Sequence, residues 1–421
     1  MFLYIIYALI SPILWLIVLV ISFFNIKIGD HWNQLWISIN SIKKDIKNKH
    51  PNKKILLFHA ASAGEFEQLI PILKSLDKKK YYIVQSFFSP TIYNKISQKS
   101  YINHICYHPF DFILSSLLFF KKINPDYYII TRHDIWPSHI FIANLLNIKT
   151  ILINANLYSN SMRIKFPFFY FNKWIFNFFH KILTPSKRIK NNIELLIDKK
   201  NIICTGDSRF DRIKTRMLNN NLALFPKKIN ETKNIIFGSI IDSDYNIVFE
   251  ALKNYFINGN QSLKEKKIRL IIVPHETDDK TILNLETKLQ KIKLEPIRFN
   301  KVDKLIPEVI IINKVGILAD LYKYSDLVYI GGGFGAGVHS VIEPAIYGSI
   351  VTYGPNIHIL DEAVEMTNKK IGFIVNNYSE MTEYFKLLND QSEINKIQKE
   401  TKLYIENKTG ASEKIINELF N

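Results

Sequence analysis

Short apolar runs alternate with longer amphipathic stretches along almost the whole of this chain. Each run is followed by a polar or Gly/Pro break, which is typical of parallel strands connected by helices. Strands are predicted over residues 55–58, 82–87, 102–107, 127–131, 150–154 and 202–205, and then over 235–237, 268–273, 309–312, 327–330 and 350–353. Runs of this kind suit strands that are covered on both faces. The pattern therefore predicts an α/β fold.

The strand pattern has two halves of similar size, separated by a polar stretch rich in Asn and Lys. Because 421 residues are too many for one hydrophobic core, we expect two Rossmann-like, doubly wound domains facing a central cleft. The expected segments are a membrane anchor at 1–26, an N-terminal domain at 27–215, a linker at 216–232, a C-terminal domain at 233–400, and a helix at 401–421 that returns toward the N-terminal domain.

Residues 1–26 contain no charged side chain. The hydrocarbon core of a bilayer is about 30 Å thick and needs roughly 20 apolar helical residues, so this segment is long enough to span it. By the positive-inside rule, the lysines that follow place the rest of the chain in the cytoplasm; they are Lys27, Lys43, Lys44, Lys47, Lys49, Lys53 and Lys54. A cleaved signal peptide would need a basic start and a small-residue cleavage site, and neither is evident. A segment that lies in the membrane without crossing it is the main alternative.

The formal net charge is +17, from 55 basic and 38 acidic side chains. Attraction to an anionic membrane surface is one explanation, and mutational drift toward Lys in an Ile- and Asn-rich chain is another. We expect no nucleic-acid partner, because recognition motifs for nucleic acid are absent from the sequence. The two cysteines, Cys106 and Cys204, lack the spacing of a metal or redox site, and we expect no metal.

Residues 166–179 are unusually aromatic and are flanked by basic side chains. One interpretation is a buried helix. The other is a patch that dips into the membrane interface, where aromatic rings and lysines both favour sitting.

The first candidate motif is HAASAGEFEQ, residues 59–68, which follows the first predicted strand. Its small residues allow a tight turn and the close approach of a ligand to the backbone. Glu65 then lies at the start of the next helix, where its carboxylate can accept a proton from a substrate hydroxyl. On spacing alone, a helix N-terminal Glu favoured by the helix dipole is the simpler interpretation.

The second motif is GGGFGAGVHSVIEPA, residues 331–345, between a predicted strand and a predicted helix. Its glycines should expose backbone N–H groups, and the helix N-terminus behind them should attract an anion. The spacing fits neither the dinucleotide-binding nor the Walker pattern. Ser340 and Glu343 also have the spacing of a capping box. Ser239 and His275 follow two other predicted strands and should reach the same edge of the sheet.

With these motifs in place, the chain resembles the 3-deoxy-D-manno-octulosonic acid (Kdo) transferases of lipopolysaccharide synthesis, which are inverting glycosyltransferases of the GT-B fold. The resemblance runs from the anchor to about residue 375. The matching blocks are 62–68, Trp136-Pro137, 154–163, 206–212, 238–244, 273–276, 313–322, the glycine-rich loop to Pro344, and 353–356.

The resemblance implies that Glu65 is the general base, which deprotonates a sugar hydroxyl of a lipid A precursor (lipid IVA). That oxygen attacks the anomeric carbon of Kdo in CMP-Kdo with inversion, and CMP leaves. The donor would contact Pro274, His275, Val315, Gly316, Ile317, Ser340, Val341, Ile342 and Glu343. Glu343 would hold the ribose hydroxyls, and the glycine loop with Gly332 and Gly333 would hold the leaving phosphate.

Further hydrogen-bond donors for the anionic substrate are expected at Arg209 and Ser239, and the candidates for the acceptor are Ser62, Gly64, Asp134 and Arg163. Asp134 stands where the family usually has Glu. The family needs no metal and no cofactor for this chemistry. The implied partners are CMP-Kdo, the lipid A precursor and the inner membrane, with the catalytic domains on its cytoplasmic face.

Two other functions are compatible with the sequence. One is a GT-B glycosyltransferase that uses a UDP-sugar and another lipid acceptor. The other is a non-catalytic, membrane-tethered lipid-binding protein. The intact Glu65 and glycine loop disfavour this alternative. The number of Kdo units added and the acyl pattern of the acceptor stay open.

Overall fold

The computed structural model describes residues 2–49, 52–96, 99–198, 201–219, 223–302 and 306–420. The chain forms two compact units. Unit 1 comprises Met1–Arg212 and Thr409–Asn421, and unit 2 comprises Ile213–Lys408.

In unit 1 the strands are β1 (Lys54–Ala60), β2 (Tyr81–Phe87), β3 (His104–Tyr107), β4 (Tyr127–Thr131), β5 (Lys149–Ile153), β6 (Lys181–Thr184) and β7 (Ile202–Cys204). The helices are α1 (Phe2–Ser22), α2 (Ile26–Lys49), α3 (Ala63–Ser75), α4 (Pro90–Lys95), α5 (Ile113–Ile123), α6 (Pro137–Leu145), α7 (Phe168–Phe176), α8 (Lys187–Glu194) and α9 (Ser208–Leu218), whose last residues belong to unit 2. The strands pair in parallel in the order β3-β2-β1-β4-β5-β6-β7.

In unit 2 the strands are β8 (Lys233–Ile240), β9 (Ile268–Pro274), β10 (Pro296–Arg298), β11 (Val309–Ile311), β12 (Leu327–Ile330), β13 (Ile350–Tyr353) and β14 (Gly372–Ile374). The helices are α10 (Asp242–Tyr255), α11 (Asn260–Lys266), α12 (Asp279–Lys291), α13 (Leu318–Leu321), α14 (Ile342–Ala345), α15 (Asp361–Asn368), α16 (Tyr378–Lys386) and α17 (Gln391–Lys408). A second parallel sheet has the order β10-β11-β9-β8-β12-β13-β14.

Each predicted strand coincides with a strand of the structure, and the two doubly wound sheets confirm the predicted fold class. Within the described residues, the sequence pattern missed β6, β10 and β14. These strands are only three or four residues long, and β6 and β14 join the sheets at or next to an edge. A run this short carries too little periodicity to be distinguished from a loop.

The C-terminal segment, expected as one helix over 401–421, consists of the end of α17 and a separate helix α18 (Ala411–Phe420). Helix α18 packs Ile415 and Leu419 into the unit 1 core, which α3 also lines. The carboxylate of Asp211 accepts hydrogen bonds from the backbone amides of Gly410 (2.6 Å) and Ser412 (2.7 Å), so it caps the start of α18. This helix therefore helps to hold α3, which carries Glu65.

Helix α1 is long and apolar enough to cross a membrane by length and composition. One stripe of it nevertheless contacts unit 1. The ring of Tyr4 packs on Phe141 and Trp174 with centroid distances of 5.0 and 4.7 Å, and the hydroxyl of Tyr7 donates a hydrogen bond to the carboxylate of Asp111. The other apolar side chains of α1 are largely exposed. The helix thus combines a face attached to protein with a face that has no protein cover among the described residues.

The aromatic segment 166–179 divides its side chains between two environments. Phe176 and Phe179 are buried in the core, as the buried-helix interpretation predicts. Phe166 and Tyr170 are 84% and 70% exposed, as the interface interpretation predicts. Since Trp174 in α7 touches Tyr4 of α1, helix α7 packs beside the apolar N-terminal helix.

Candidate functional site

The candidate residues of unit 1 lie at the carboxyl edge of its sheet. Strands β1, β4 and β5 are neighbours, and Glu65, Asp134 and Arg163 follow them in that order along the chain. The register pairs His59 of β1 with Ile130 of β4, so the loops after these two strands begin side by side. Ligands bind at this edge in doubly wound folds.

Glu65 is the third residue of α3, and a capping box holds its carboxylate. The hydroxyl oxygen of Ser62 accepts the amide hydrogen of Glu65 (3.4 Å), while Oε2 of Glu65 accepts from the amides of Ala61 (2.7 Å) and Ser62 (3.3 Å). The residue is only 6% exposed. Oε1 accepts no hydrogen bond from the residues that the structure describes. The helix-start role that spacing alone favours is therefore present, and it leaves one oxygen available for chemistry.

A histidine–aspartate pair adjoins Glu65. Nε2 of His59 lies 2.5 Å from Oδ2 of Asp134, and Nδ1 of His59 lies 3.0 Å from the hydroxyl of Ser86. Burial by itself would raise the pKa of Asp134, but the hydrogen bond and charge of His59 hold it below its usual value. Burial raises the pKa of Glu65; the amide of Ala61 opposes the shift and the charge of Asp134 adds to it. The Glu65 carboxylate is thus a stronger base than an exposed glutamate.

Three further histidines pack behind this pair. The ring of His108 lies 3.9 Å from that of His59, and its Nε2 lies 3.1 Å from Nδ1 of His139. Burial lowers the pKa of His139 to about 3 and that of His31 to about 4, and it holds the pKa of His108 well below its usual value. These rings are neutral at physiological pH and act as a packed, hydrogen-bonded support for His59.

The other candidates of unit 1 have different surroundings. Arg163 donates from Nη2 to the carbonyl of His133 (2.9 Å), next to Asp134. Gly64 lies in the first turn of α3. Arg209 forms an ion pair with Asp207 (2.7 Å), and the pKa of Asp207 is lowered despite its burial because of this guanidinium. The charge of Arg209 is therefore already balanced by a neighbour.

In unit 2, three adjacent strands bring their following loops together. The sheet order places β8 between β9 and β12, so Ser239 near the end of β8, His275 after β9 and the glycine-rich loop after β12 share one edge. Oγ of Ser239 lies 2.9 Å from Nδ1 of His275, directly after Pro274. The ring of His275 stacks on that of His339 at 4.8 Å with an interplanar angle of 12°. Two imidazoles and one hydroxyl thus line the loop that the sequence identified.

The glycines of this loop are required mainly for close packing. Gly332 has a φ of +89°, and a Cβ on Gly333 would lie 2.5 Å from the backbone nitrogen of Gly354. The amide of Gly332 donates to Oδ2 of Asp244 (2.9 Å), and the amides of Gly335 and Gly337 donate to the carbonyl of Gly332. These amides are therefore satisfied within the protein and are not directed at a ligand.

Two expectations about the helix after the loop are corrected. Helix α14 begins at Ile342, its N-cap is Val341, and no side chain caps it, so the predicted Ser340–Glu343 capping box is wrong. The helix has only four residues, which is too short to build a substantial dipole. Pro344 has no N–H to donate to the carbonyl of Ser340, so a regular helix cannot begin with Ser340 as its N-cap.

Glu343 lies in a charge cluster of unit 2 with Arg216 and Asp320. Burial raises its pKa; the charge of Arg216 opposes this shift and that of Asp320 adds to it. Nη2 of Arg216 lies 3.4 Å from Oδ1 of Asp320. Neither partner was predicted from the sequence, because each becomes a neighbour of Glu343 only in the fold.

The loop after β11 has one exposed and one buried candidate. Val315 is 78% exposed, whereas Ile317 is buried and precedes α13. Gly316 between them has a φ of +84°, which favours glycine.

His59, His339 and Asp244 are site residues that were not predicted individually from the sequence. The signal for His59 was its place at the end of β1, opposite the loop that carries Asp134. Nothing in the spacing marked His339 or Asp244, because their partners come from other loops. Among the described residues, no group of three or more His, Cys, Asp or Glu side chains is arranged to hold a metal ion.

Known proteins resemble this chain in sequence and in fold. Residues 37–212 match the family model described as 3-Deoxy-D-manno-octulosonic-acid transferase (kdotransferase). A 3-deoxy-D-manno-octulosonic acid transferase of Aquifex aeolicus is 28% identical over 357 residues, which cover 84% of this chain and 90% of that protein.

Solved structures share the fold at lower sequence identity. A glycosyltransferase from Rickettsia africae has a TM-score of 0.60 and 17% identity, with 88% of this chain and 97% of the other covered. MurG from Acinetobacter baumannii has a TM-score of 0.57 and 11% identity, with 86% and 98% covered. The two parallel sheets and these likenesses show a two-domain GT-B fold. The chain is a glycosyltransferase, and these matches support its assignment to the Kdo transferase family.

Proposed function

We propose that this protein transfers Kdo from CMP-Kdo to a lipid A precursor, lipid IVA, with inversion at the anomeric carbon. The observation that supports this most is the state of Glu65: a buried carboxylate with one oxygen held by two amides and the other available. Its raised pKa suits a general base, which works best when its pKa approaches the operating pH.

In the proposed reaction, Oε1 of Glu65 takes the proton from an acceptor hydroxyl as the hydroxyl oxygen bonds to the anomeric carbon of Kdo. The bond from that carbon to the phosphate oxygen breaks on the opposite face, and CMP leaves with the electron pair. Attack on the face opposite the leaving group inverts the anomeric configuration. The charge of Asp134 raises the pKa of Glu65 and so favours uptake of the proton, while the charge of His59 opposes this effect.

The donor, in this proposal, binds to unit 2. Ser239, His275 and His339 would supply hydrogen-bond donors to the carboxylate and phosphate of CMP-Kdo, and Glu343 would accept hydrogen bonds from the ribose hydroxyls. The stacked imidazoles support the anion site better than the glycine amides do, because several of those amides are already satisfied.

Membrane attachment is proposed through α1 and the exposed rings of residues 166 and 170. Contacts made by Tyr4, Tyr7 and Trp15 hold α1 against the rest of unit 1. The ring of Trp15 packs on that of Trp32 in α2 with a centroid distance of 4.9 Å. We therefore favour a helix that lies in the membrane surface with its exposed apolar face in lipid. The cytoplasmic face of the inner membrane stays our expectation for the catalytic units.

The direct test is incubation of the purified full-length chain with CMP-Kdo and lipid IVA in detergent micelles, followed by mass spectrometry of the lipid. We expect lipid products that carry Kdo, with inhibition by CMP and none by UDP. Transfer from a UDP-sugar together with no Kdo product would contradict the proposal.

Glu65→Gln should abolish most of the transfer, because the amide cannot take the proton. A general base contributes typically 10²–10⁴-fold, and we expect a loss of kcat of about that size. The amide oxygen can still accept from Ala61 and Ser62, so the melting temperature and the binding of CMP-Kdo should change little. The matched control is Glu413→Gln, an exposed carboxylate in the first turn of α18. Wild-type activity of Glu65→Gln would exclude the general-base role.

The pH profile of kcat/KM should report the raised pKa of Glu65. Because the base acts when ionised, activity should rise with pH through that pKa and then level off, with its midpoint above the usual value for glutamate. Asp134→Asn removes a charge that raises this pKa, so the acidic limb should move to lower pH. If the acidic limb of the Asp134→Asn profile lies at the same pH as that of the wild type in the same buffers, the charge of Asp134 does not raise the pKa of Glu65.

Glu343→Gln should weaken the binding of the donor CMP-Kdo and leave the binding of the acceptor unchanged. A hydrogen bond to a charged group contributes about 1.5–3 kcal/mol, so KM for CMP-Kdo should rise by about tenfold or more while KM for the lipid acceptor stays the same. Titration of both substrates checks this, with the exposed Glu383→Gln as control. An unchanged KM for the donor would remove the ribose role from Glu343.

A further inference from the structure

A groove on unit 1 separates α3 from the segment that begins with α4, and it encloses about 620 Å³. Its floor contains Phe66, Ile70 and Ile92, whose side chains are buried, and Ile96, which is partly buried. Phe66, Ile70 and Lys74 recur every four residues and therefore form one face of α3. The groove offers an apolar surface of the kind that binds hydrocarbon.

The rim of the groove is cationic. The rim has one carboxylate, that of Glu67, and four basic side chains, which are those of Lys74, Lys95, Lys99 and Arg212. Arg212 pairs with Glu67 through Nε (2.6 Å), which balances that carboxylate. Lys95 and Lys99 are exposed and make no ion pair with any residue in the described ranges. These two ammonium groups remain to bind an anion.

One end of the groove adjoins the general base. Ser62 and Ala63 line that end, and the amide of Ser62 donates to Oε2 of Glu65. Lys74 lies eleven residues further along α3, or about 16 Å at 1.5 Å per residue. A ligand whose reacting hydroxyl is at Glu65 can therefore extend along the groove past the rim lysines.

The wall that carries Lys95 is attached to the N-terminal helices. The carbonyl of Phe88, just before α4, lies 3.0 Å from Nδ1 of His31 in α2. Helix α2 packs on α1 through Trp32 and Trp15. The groove is thus built beside the helices with the exposed apolar surface, within reach of a ligand whose hydrocarbon part stays in a membrane.

We infer that this groove binds the acylated, phosphate-bearing part of the lipid acceptor. Lys95 and Lys99 bind the phosphate, and the floor of Phe66, Ile70 and Ile96 receives an acyl chain. The inference rests on the proposed function and extends the acceptor site beyond the residues around Glu65. A nucleic acid fits the groove less well, because its floor is mainly aliphatic and offers few surfaces for base stacking.

The test measures acceptor kinetics of the full-length chain and of the double variant Lys95→Ala/Lys99→Ala in detergent micelles. Two acceptors are compared, lipid IVA and the same lipid after enzymatic removal of its phosphates. For lipid IVA we expect KM to rise about tenfold or more, since charge-assisted hydrogen bonds are lost. kcat and KM for CMP-Kdo should stay within about twofold, as is usual for exposed substitutions that make no other contact. With the dephosphorylated lipid, the variant and the wild type should have the same KM.

The matched control is Lys78→Ala/Lys79→Ala, two exposed lysines that do not line the groove, and it should behave as wild type. An unchanged KM for lipid IVA in the groove variant overturns the inference, as does an equal rise with both lipids. The apolar floor is tested with Ile96→Asn, which should raise KM for the acylated lipid and not for its fully deacylated, water-soluble form. Equal effects on both forms would overturn that part.

A binding measurement separates failure of the groove from failure of the proposed function. Lipid IVA in mixed micelles is titrated into each protein without CMP-Kdo, and we expect weaker binding by the groove variant than by the control. If the wild type transfers Kdo and the groove variant binds lipid IVA normally, only the groove is refuted. If the wild type makes no Kdo product but the variant loses lipid binding, the groove stands as a lipid site and the transferase proposal fails.

Discussion

Two backbone amides at the start of α3 hold one oxygen of the Glu65 carboxylate, and the candidate site of unit 1 depends on this interaction. The amides of Ala61 and Ser62 would otherwise be unsatisfied at a helix N-terminus. The carboxylate accepts hydrogen bonds from both amides, and these bonds fix the orientation of its buried side chain. A mobile side chain at this position would be of little catalytic use. A structural cap and a catalytic base therefore need not compete for this residue, because each uses a different oxygen.

The surroundings of Glu65 act on it through charge and packing. The pair of His59 and Asp134 places a carboxylate close enough to raise the pKa of Glu65, while the neutral rings of His108 and His139 fill the space behind. The same network reaches Asp111, which accepts a hydrogen bond from Tyr7 of α1. The apolar N-terminal helix and the candidate base are thus connected through one buried polar cluster within unit 1.

In unit 2, the glycine-rich loop has a different role from the one that its sequence predicts. Gly332 has a positive φ, Gly333 permits a close approach of the backbone to Gly354, and the carboxylate of Asp244 accepts the amide hydrogen of Gly332. In the proposed donor site, recognition of charge would therefore rest more on side chains, in particular on the stacked rings of His275 and His339. A loop of glycines is informative about backbone geometry, but it does not by itself specify where the amide hydrogens point.

The sequence by itself determined the two α/β domains, the apolar N-terminal helix, and the positions of Glu65 and the glycine loop. These features depend on local patterns: the period of apolar residues, the spacing of small residues, and the lack of charge. Tertiary structure alone decided the pairing of His59 with Asp134, the charge cluster around Glu343, and the groove between α3 and α4. Each of these joins residues from separate strand-end loops or helices, and their proximity follows from strand order, which no local pattern encodes. The short strands β6, β10 and β14 and the four-residue helix α14 were not predicted from the sequence. Packing against neighbouring elements, and not a periodic pattern of their own residues, stabilises their regular structure.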